Sequence, residues 1–183
     1  MNLPRVSQII APYSGYNKVP KKILEKAADR GTLIHSACLA MVQKEACKLP
    51  FEYAKYAMSF GKFLPQIKSI HSFENRLSDE KWGYTGMYDY LGEVEGYEGT
   101  TLFDIKSSYA AKKIWGCQVA AYARLAEIHW EILPKTILVV HLSKEGNAPK
   151  LIEYDLEIHL AYFKAMCEMY HLFKPDDQEF MYD

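Results

Sequence analysis

The sequence predicts an α/β fold in which a central mixed β-sheet is flanked by helices. Two observations support this class. Apolar residues recur at three- and four-residue steps in several long segments, as in helices, and alternate with polar residues in the middle of the chain, as in strands. The segments follow the order helices, three strands, helix, two strands, helix, which is typical of an α/β domain.

The size and composition of the chain fit a single globular unit. Its 183 residues can bury a substantial core, and the 49% hydrophobic and 25% charged content is ordinary for a globular protein. We assign residues 1–174 to one domain and residues 175–183 to an acidic, mobile tail. No apolar run reaches the length of a membrane span and the first residues lack a signal-peptide core, which predicts a cytoplasmic protein without membrane contact.

The four cysteines are far apart in the sequence and include no CxxC pair. A disulfide framework or a zinc ribbon is therefore not expected, and free thiols in a reducing compartment are.

Charge is unevenly distributed along the chain, although the net charge is only −1. Residues 1–70 carry eleven Lys/Arg against four Asp/Glu, and residues 71–183 carry eleven against nineteen. A basic part beside an acidic, metal-binding part would suit a polyanionic substrate. A chance asymmetry on solvated helices explains the same counts equally well.

The first third of the chain predicts two helices. The first runs from residue 21 to about residue 48 and contains Gly31, which indicates a close approach to the backbone or a meeting of two helices. The second covers residue 51 to about residue 64 and ends before Pro65. Its aromatic residues are interleaved with lysines. This combination is typical of a platform for unpaired bases or, more often, of a core face with a solvated rim.

The middle of the chain predicts three strands, over residues 70–77, 83–91 and 100–107. The segments between them, 78–81 and 92–99, resemble turns. We therefore expect the three strands to form an antiparallel meander.

The remainder predicts a helix, two strands and a final helix. The helix covers residues 112–130, and a strongly apolar run at 135–142 is typical of a buried strand. A turn then leads into a strand at 150–154. Asp155 is expected to cap a last helix that ends near Phe173.

The third predicted strand and its neighbour carry the residues most suited to catalysis. Because side chains alternate along a strand, Asp104 and Lys106 project to one side and Ile105 to the other. Asp89 on the neighbouring strand can bring a second carboxylate to the same edge. Two carboxylates, a backbone carbonyl and waters are suitable ligands for Mg²⁺ or Mn²⁺.

Five short motifs in a fixed order then give a resemblance to the RecB-like exonuclease branch of the PD-(D/E)XK nuclease superfamily. The resemblance covers roughly residues 3–125 and implies a restriction-endonuclease-like core. The motifs are residues 3–10 (LPRVSQII), 30–35 (RGTLIH), 86–89 (GMYD), 104–106 (DIK) and 118–122 (QVAAY).

The resemblance implies a metal site and a catalytic lysine. In this family a histidine and two acidic residues bind the metal, which makes His35, Asp89 and Asp104 the expected ligands. The carbonyl of Ile105 would join them, and Lys106 would serve catalysis. An imidazole ligand favours Mn²⁺ over Mg²⁺. By itself, His35 would more often be a histidine satisfied within the core.

The resemblance also implies substrate contacts. Gln118 and Tyr122 lie four residues apart on one helical face, where they would touch DNA or brace the site. Glu74 is a further candidate near the metal, on the preceding predicted strand, although an exposed strand glutamate explains it equally well. Four residues that flank the motifs are candidate contacts to the DNA backbone or bases, and positions on a solvated face explain them about as well: Arg30, Lys112, Lys113 and Trp115.

The function implied is a divalent-metal-dependent DNA exonuclease acting in recombination, repair or phage DNA processing. Two alternatives remain open: a catalytically silent nucleic-acid-binding subunit with the same fold, and a structure-specific endonuclease. The expected partner is a single- or double-stranded DNA end, and a second copy or a recombination partner is left open. Some relatives hold an iron–sulfur cluster with cysteines near the C-terminus, but only Cys167 lies there, so no cluster is expected.

Overall fold

The computed structural model describes residues 3–173. The α helices within them are α1 (Val6–Ile10), α2 (Lys21–Gln43), α3 (Ala54–Phe63), α4 (Ile114–Trp130) and α5 (Leu156–Leu172). The strands are β1 (Ile67–Phe73), β2 (Arg76–Asp79), β3 (Tyr84–Met87), β4 (Tyr90–Val94), β5 (Thr100–Lys106), β6 (Thr136–His141) and β7 (Lys150–Tyr154).

Five of these strands form one mixed sheet with the order β1-β4-β5-β6-β7. Strands β5 and β6 are parallel and α4 connects them, whereas the other neighbours are antiparallel. Strands β2 and β3 form a separate two-stranded hairpin. The predicted α/β class with a central mixed sheet flanked by helices is confirmed, and it is consistent with a restriction-endonuclease-like core.

The sheet has a hydrophobic core on each face. Helices α2 and α3 cover one face, where buried side chains from β4, β5 and β6 meet them. Helices α1, α4 and α5 cover the other face. The sequence alternation of β5 accounts for both, because Phe103 and Ile105 enter the first core while Leu102 enters the second. Residues at the end of this strand are thereby fixed between two layers.

The N-terminal helices follow the predictions with shifted ends. Helix α2 ends at Gln43 because Lys44 takes a left-handed conformation (φ 59°) and its N–H turns back to donate to Met41. Helix α3 begins at Ala54, after a 3₁₀ turn. Phe60 and Phe63 are fully buried, so the aromatic stripe of this helix is mainly core rather than a platform for bases.

Gly31 lies inside α2 without interrupting it. A Cβ added at Gly31 would meet no atom within 4 Å, so packing between helices does not account for this glycine.

The predicted strand over residues 83–91 is wrong as a single element, because it is divided into β3 and β4 at Tyr88 and Asp89. Tyr84 and Tyr88 are buried in the core beneath α4, whereas Tyr90 enters the core beneath α2. In one regular strand these three positions would share a face, and the break reverses the face. The pattern of alternation hides such a break, since all three tyrosines are buried.

The predicted strand over residues 70–77 is divided as well, between the end of β1 and the start of β2, and the predicted meander is therefore wrong. Strand β1 pairs directly with β4, while β2 and β3 leave the main sheet as a hairpin. The hairpin is fixed by a buried carboxylate: Asp79 accepts hydrogen bonds from the backbone N–H groups of Lys81 and Trp82, and Arg124 of α4 donates to its second oxygen at 2.5 Å.

The C-terminal elements were predicted correctly. Strands β6 and β7 and helix α5 lie where the sequence indicated, and the carboxylate of Asp155 accepts a hydrogen bond from the N–H of Ile158 at 2.8 Å. The predicted acidic tail, residues 175–183, lies outside the described residues. Within residues 3–173, no helix is both long enough and apolar enough to cross a membrane.

The close pairing of β1 and β4 makes Gly92 the most restrictive glycine of the sheet. A Cβ at this position would lie 2.1 Å from the backbone oxygen of Ser69. We expect Gly92→Ala to lower the free energy of unfolding by about 3 kcal/mol, since a backbone must move to make room. Urea unfolding checks this. Gly31→Ala is the matched control and should raise stability by up to about 1 kcal/mol, and equal effects of the two substitutions would contradict the expectation.

Candidate active site

The site lies where β4 and β5 separate. Pairing between these strands ends at Tyr90 and Phe103, so residues 104–106 pair only with β6 on their other side. On the side where β4 no longer pairs with β5, the side chain of Asp89 binds the β5 backbone instead. Its Oδ2 accepts a hydrogen bond from the backbone N–H of Ile105 at 2.6 Å.

Asp89 connects two further parts of the chain. His35 of α2 lies with Nδ1 3.1 Å from Asp89 Oδ1, and Ile34 and Cys38, both buried, fix this turn of α2 against the sheet. The backbone oxygen of Asp89 accepts a hydrogen bond from the N–H of Glu74 at 3.1 Å. The structure therefore brings the predicted His35 and Asp89 together.

Asp104 and Lys106 form the second half of the site. Both project from the same side of β5, as predicted, while the side chain of Ile105 is fully buried on the opposite face. Lys106 Nζ lies 2.5 Å from Asp104 Oδ2. The side chain of Asp104 is 3% exposed and that of Lys106 is 19% exposed, so the lysine is the more accessible member of the pair.

Burial and neighbouring charges compete over the pKa of each group. Burial raises the pKa of Asp104 to about 6, although Lys106 acts in the opposite direction. Burial would also raise the pKa of Asp89, but His35, Lys106 and the Ile105 N–H together hold it below its usual value. Burial would lower the pKa values of His35 and Lys106, yet the two carboxylates raise both. The four groups thus share one electrostatic environment.

These shifts give a pH dependence of stability for the metal-free protein. The folded-state pKa values of Asp104 and His35 lie above their unfolded values of about 4 and 6.5, so the native state binds protons more tightly. Their contribution is complete below those unfolded values and is lost as the pH rises through the folded ones. We therefore expect the melting temperature in EDTA to fall between about pH 5 and pH 8.

Thermal unfolding monitored by circular dichroism measures this trend. Asp104→Asn removes one of the two titrating groups and should flatten the slope. Asp89, whose pKa is lowered, contributes stability that is lost only as the pH falls below about 4. A wild-type melting temperature that rises across the neutral range would contradict the assignment.

Helix α4 adds the predicted pair Gln118 and Tyr122. The Gln118 amide donates a hydrogen bond to the Tyr122 hydroxyl at 2.9 Å. Burial raises the pKa of Tyr122, and Asp104 raises it further, so the ring lies within electrostatic reach of the site. Gly86 makes room for this ring, because a Cβ there would lie 2.8 Å from the ring carbon Cε1.

The other predicted residues are placed differently. Trp115 is only 2% exposed and packs edge-on against His141, so the predicted contact of its ring with substrate is not available. The prediction places Glu74 on a strand, but this residue lies in the turn after β1. It takes a left-handed conformation there (φ 45°), and its side chain is exposed. Arg30 is half-buried, and its Nε has no hydrogen-bond partner.

Lys112 and Lys113 precede α4. Lys113 is exposed, whereas Lys112 donates a hydrogen bond to the backbone oxygen of Ser14 at 2.9 Å. Its ammonium group also lies 3.6 Å from the centre of the Tyr16 ring.

Sequence reasoning missed two features beside the site. Tyr16 contributes to the raised pKa of Lys106, although it lies outside every quoted motif. A cavity of about 170 Å³ lies next to Tyr122. Arg5 and Ser7, from the first motif, line it together with Arg76. Three of the quoted motifs supply residues to this cavity, but Arg76 belongs to the hairpin that the sequence did not separate.

The donor set fits a divalent cation, although the groups now contact each other. Among residues 3–173, no three His, Cys, Asp or Glu side chains are gathered around a common point as metal ligands would be. His35 is paired with Asp89, and Asp104 with Lys106. The Oδ2 atom of Asp104 is buried, and its neighbour is the ammonium group of Lys106. An imidazole nitrogen and two carboxylates suit Mn²⁺ or Mg²⁺.

Comparison with known proteins supports the fold. No family model and no curated protein matches this sequence. A crystal structure from Eubacterium rectale described as "Putative exonuclease" superposes with a TM-score of 0.54 at 10% sequence identity. The match covers 78% of this chain and 65% of that one, so the chain spans about two thirds of the length of this neighbour. At this identity the likeness concerns the fold.

Proposed function

We propose that the protein is a divalent-metal-dependent DNA nuclease, an exonuclease of the RecB-like branch of the PD-(D/E)XK superfamily. One observation carries the proposal: His35, Asp89, Asp104 and Lys106, from three separate motifs, meet at one opening of the sheet. The fold of the Eubacterium rectale protein supports it at the level of architecture.

His35, Asp89, Asp104 and the carbonyl of Ile105 would hold Mg²⁺ or Mn²⁺. When bound, such an ion lowers the pKa of a water molecule and stabilises negative charge on a phosphate. The metal ligands must be deprotonated, and the raised pKa values of His35 and Asp104 mean that protons and the ion compete for the site.

Lys106 supplies the positive charge that the chain itself brings to the reaction. The carboxylates of Asp104 and Asp89 raise its pKa, so the side chain is protonated at neutral pH despite its burial. An ammonium group fixed on a strand stabilises charge that develops on the phosphate without needing to reorient. It can also hold a water molecule in position for attack.

Gln118, Tyr122 and the two arginines of the adjacent cavity would position the DNA backbone. The hydrogen bond from Gln118 fixes the Tyr122 hydroxyl beside Asp104. Arg5 and Arg76 line the cavity together with Tyr122, and their guanidinium groups can pair with phosphates there. The open space beside Gly31 adds room for a ligand on α2.

Labelled linear DNA, single- and double-stranded, tests the function in the presence of Mn²⁺ or Mg²⁺. We expect shortening of linear DNA and no cleavage in EDTA. Intact circular single strands would support exonuclease action, since an exonuclease needs an end, whereas linearised circles would indicate an endonuclease. Absence of cleavage with either ion would overturn the proposal and favour a silent binding subunit.

A further inference from the structure

The loop between β5 and α4, residues 107–113, presents an exposed aromatic ring next to the candidate active site. Tyr109 is 86% exposed. The loop backbone is nonetheless held in place. His141 Nε2 lies 2.7 Å from the backbone oxygen of Ser108, and the Tyr154 hydroxyl donates to the backbone oxygen of Lys112 at 3.1 Å. The ring is therefore displayed by a braced loop.

One lysine side chain lies near the ring of Tyr109, and another lies near the ring of Tyr16. Lys144 Nζ lies 5.1 Å from the centre of the Tyr109 ring, and Lys112 Nζ lies 3.6 Å from that of Tyr16. Tyr16 is 38% exposed. Within the described part of the chain, no carboxylate lies within 4 Å of either ammonium group. Neither positive charge is neutralised by an ion pair, so both can attract phosphates.

Both rings belong to segments next to the catalytic lysine. Tyr109 follows Lys106 by three residues in the chain, and Tyr16 lies within electrostatic reach of the Lys106 side chain. Lys112 joins the two segments, because it belongs to the Tyr109 loop and donates to the backbone oxygen of Ser14. A strand whose phosphate reaches Lys106 would pass exposed rings and ammonium groups that no carboxylate neutralises.

We propose that Tyr109 and Tyr16 stack on unpaired bases of a single-stranded DNA segment, while Lys112 and Lys144 contact its phosphates. This inference rests on the proposed nuclease function and specifies its substrate as a single strand. The faces of bases in a duplex are already covered by their neighbours, so only an unpaired base can stack on a protein ring. Alternating aromatic and cationic groups complement alternating bases and phosphates.

Binding measured without cleavage tests the inference directly. The Lys106→Met protein is titrated in Mn²⁺ with fluorescein-labelled oligothymidylate of about 12 nucleotides and with a duplex of the same length, followed by anisotropy. We expect the added change Tyr109→Ala to weaken single-strand binding about 5- to 100-fold, and to change duplex binding less than about twofold. Tyr109→Phe, which retains the ring, should bind like the parent.

Tyr162→Ala is the matched control, because it removes a tyrosine that is 57% exposed on α5 and should leave binding unchanged. Melting temperatures show that each variant is folded, and the exposure of Tyr109 predicts no loss of stability. Equal binding by the Tyr109→Ala and parent proteins would overturn the inference, as would no single-strand binding or equal losses for both DNAs.

The two proposals can fail separately. If the wild-type protein cleaves DNA but Tyr109→Ala leaves single-strand binding unchanged, only the stacking proposal is overturned. If Tyr109→Ala weakens single-strand binding but the wild-type protein cleaves no DNA, the stacking proposal is supported and the proposed nuclease function is overturned.

Discussion

Replacing Lys106 by methionine should lower the rate of DNA cleavage by at least about 100- to 1,000-fold while the protein remains folded. Methionine keeps most of the aliphatic stem but removes the ammonium group that lies 2.5 Å from Asp104. No other lysine of β5 can substitute, because Lys106 is the single lysine of that strand. The loss should appear in kcat, since the charge acts on the phosphate as the reaction proceeds.

Initial rates on end-labelled single-stranded DNA in saturating Mn²⁺ measure this effect. Lys164→Met, on the exposed surface of α5, makes the same chemical change elsewhere and should keep wild-type activity. If Lys106→Met cleaves DNA within about tenfold of the wild-type rate, the lysine does not act on the reacting phosphate.

Asp89→Asn should have the second-largest effect, by weakening Mn²⁺ binding about 100-fold or more and abolishing cleavage at low metal concentration. The amide is nearly isosteric but lacks the negative charge that divalent cations require. It also cannot accept hydrogen bonds through both terminal atoms, so the contacts of Asp89 to His35 and to the Ile105 N–H cannot both persist as they are.

Isothermal titration calorimetry with Mn²⁺ alone, without DNA, gives the affinity. Asp29→Asn on the exposed side of α2 is the control, since it removes one carboxylate charge from the same protein. Unchanged Mn²⁺ affinity in Asp89→Asn would show that this carboxylate is not a ligand. Rescue of cleavage by higher Mn²⁺ would support a defect in metal binding rather than in folding.

Much of the fold could be predicted because periodicity in this chain reports burial. In the helices and the last two strands, the buried apolar residues recur with the spacing that is typical of each kind of element. Asp155 also caps α5 as expected. The pairing of Asp104 with Lys106 also followed from strand alternation alone. Bringing His35 to Asp89 did not, since 54 residues separate them and only the resemblance joined them.

The remainder depended on interactions that single-sequence patterns do not contain. The break between β3 and β4 leaves Tyr84, Tyr88 and Tyr90 all buried, so the alternation of these positions does not reveal the change of face. Trp115, close to a motif and to two lysines, gave no sign that its ring would be buried against His141. The exposed Tyr109 gave no sequence signal either, because exposure of a loop depends on what packs beneath it.

The hydrogen bonds of Asp89 have a consequence for how the protein would survive metal depletion. Helix α2, the turn after β1 and strand β5 all meet at this one residue through protein atoms alone. A zinc finger, in contrast, loses its structure with its ion because the ion is the only crosslink. Here a chelator should abolish activity without unfolding the protein. Activity should then return on readdition of the ion at the speed of ligand exchange rather than of refolding.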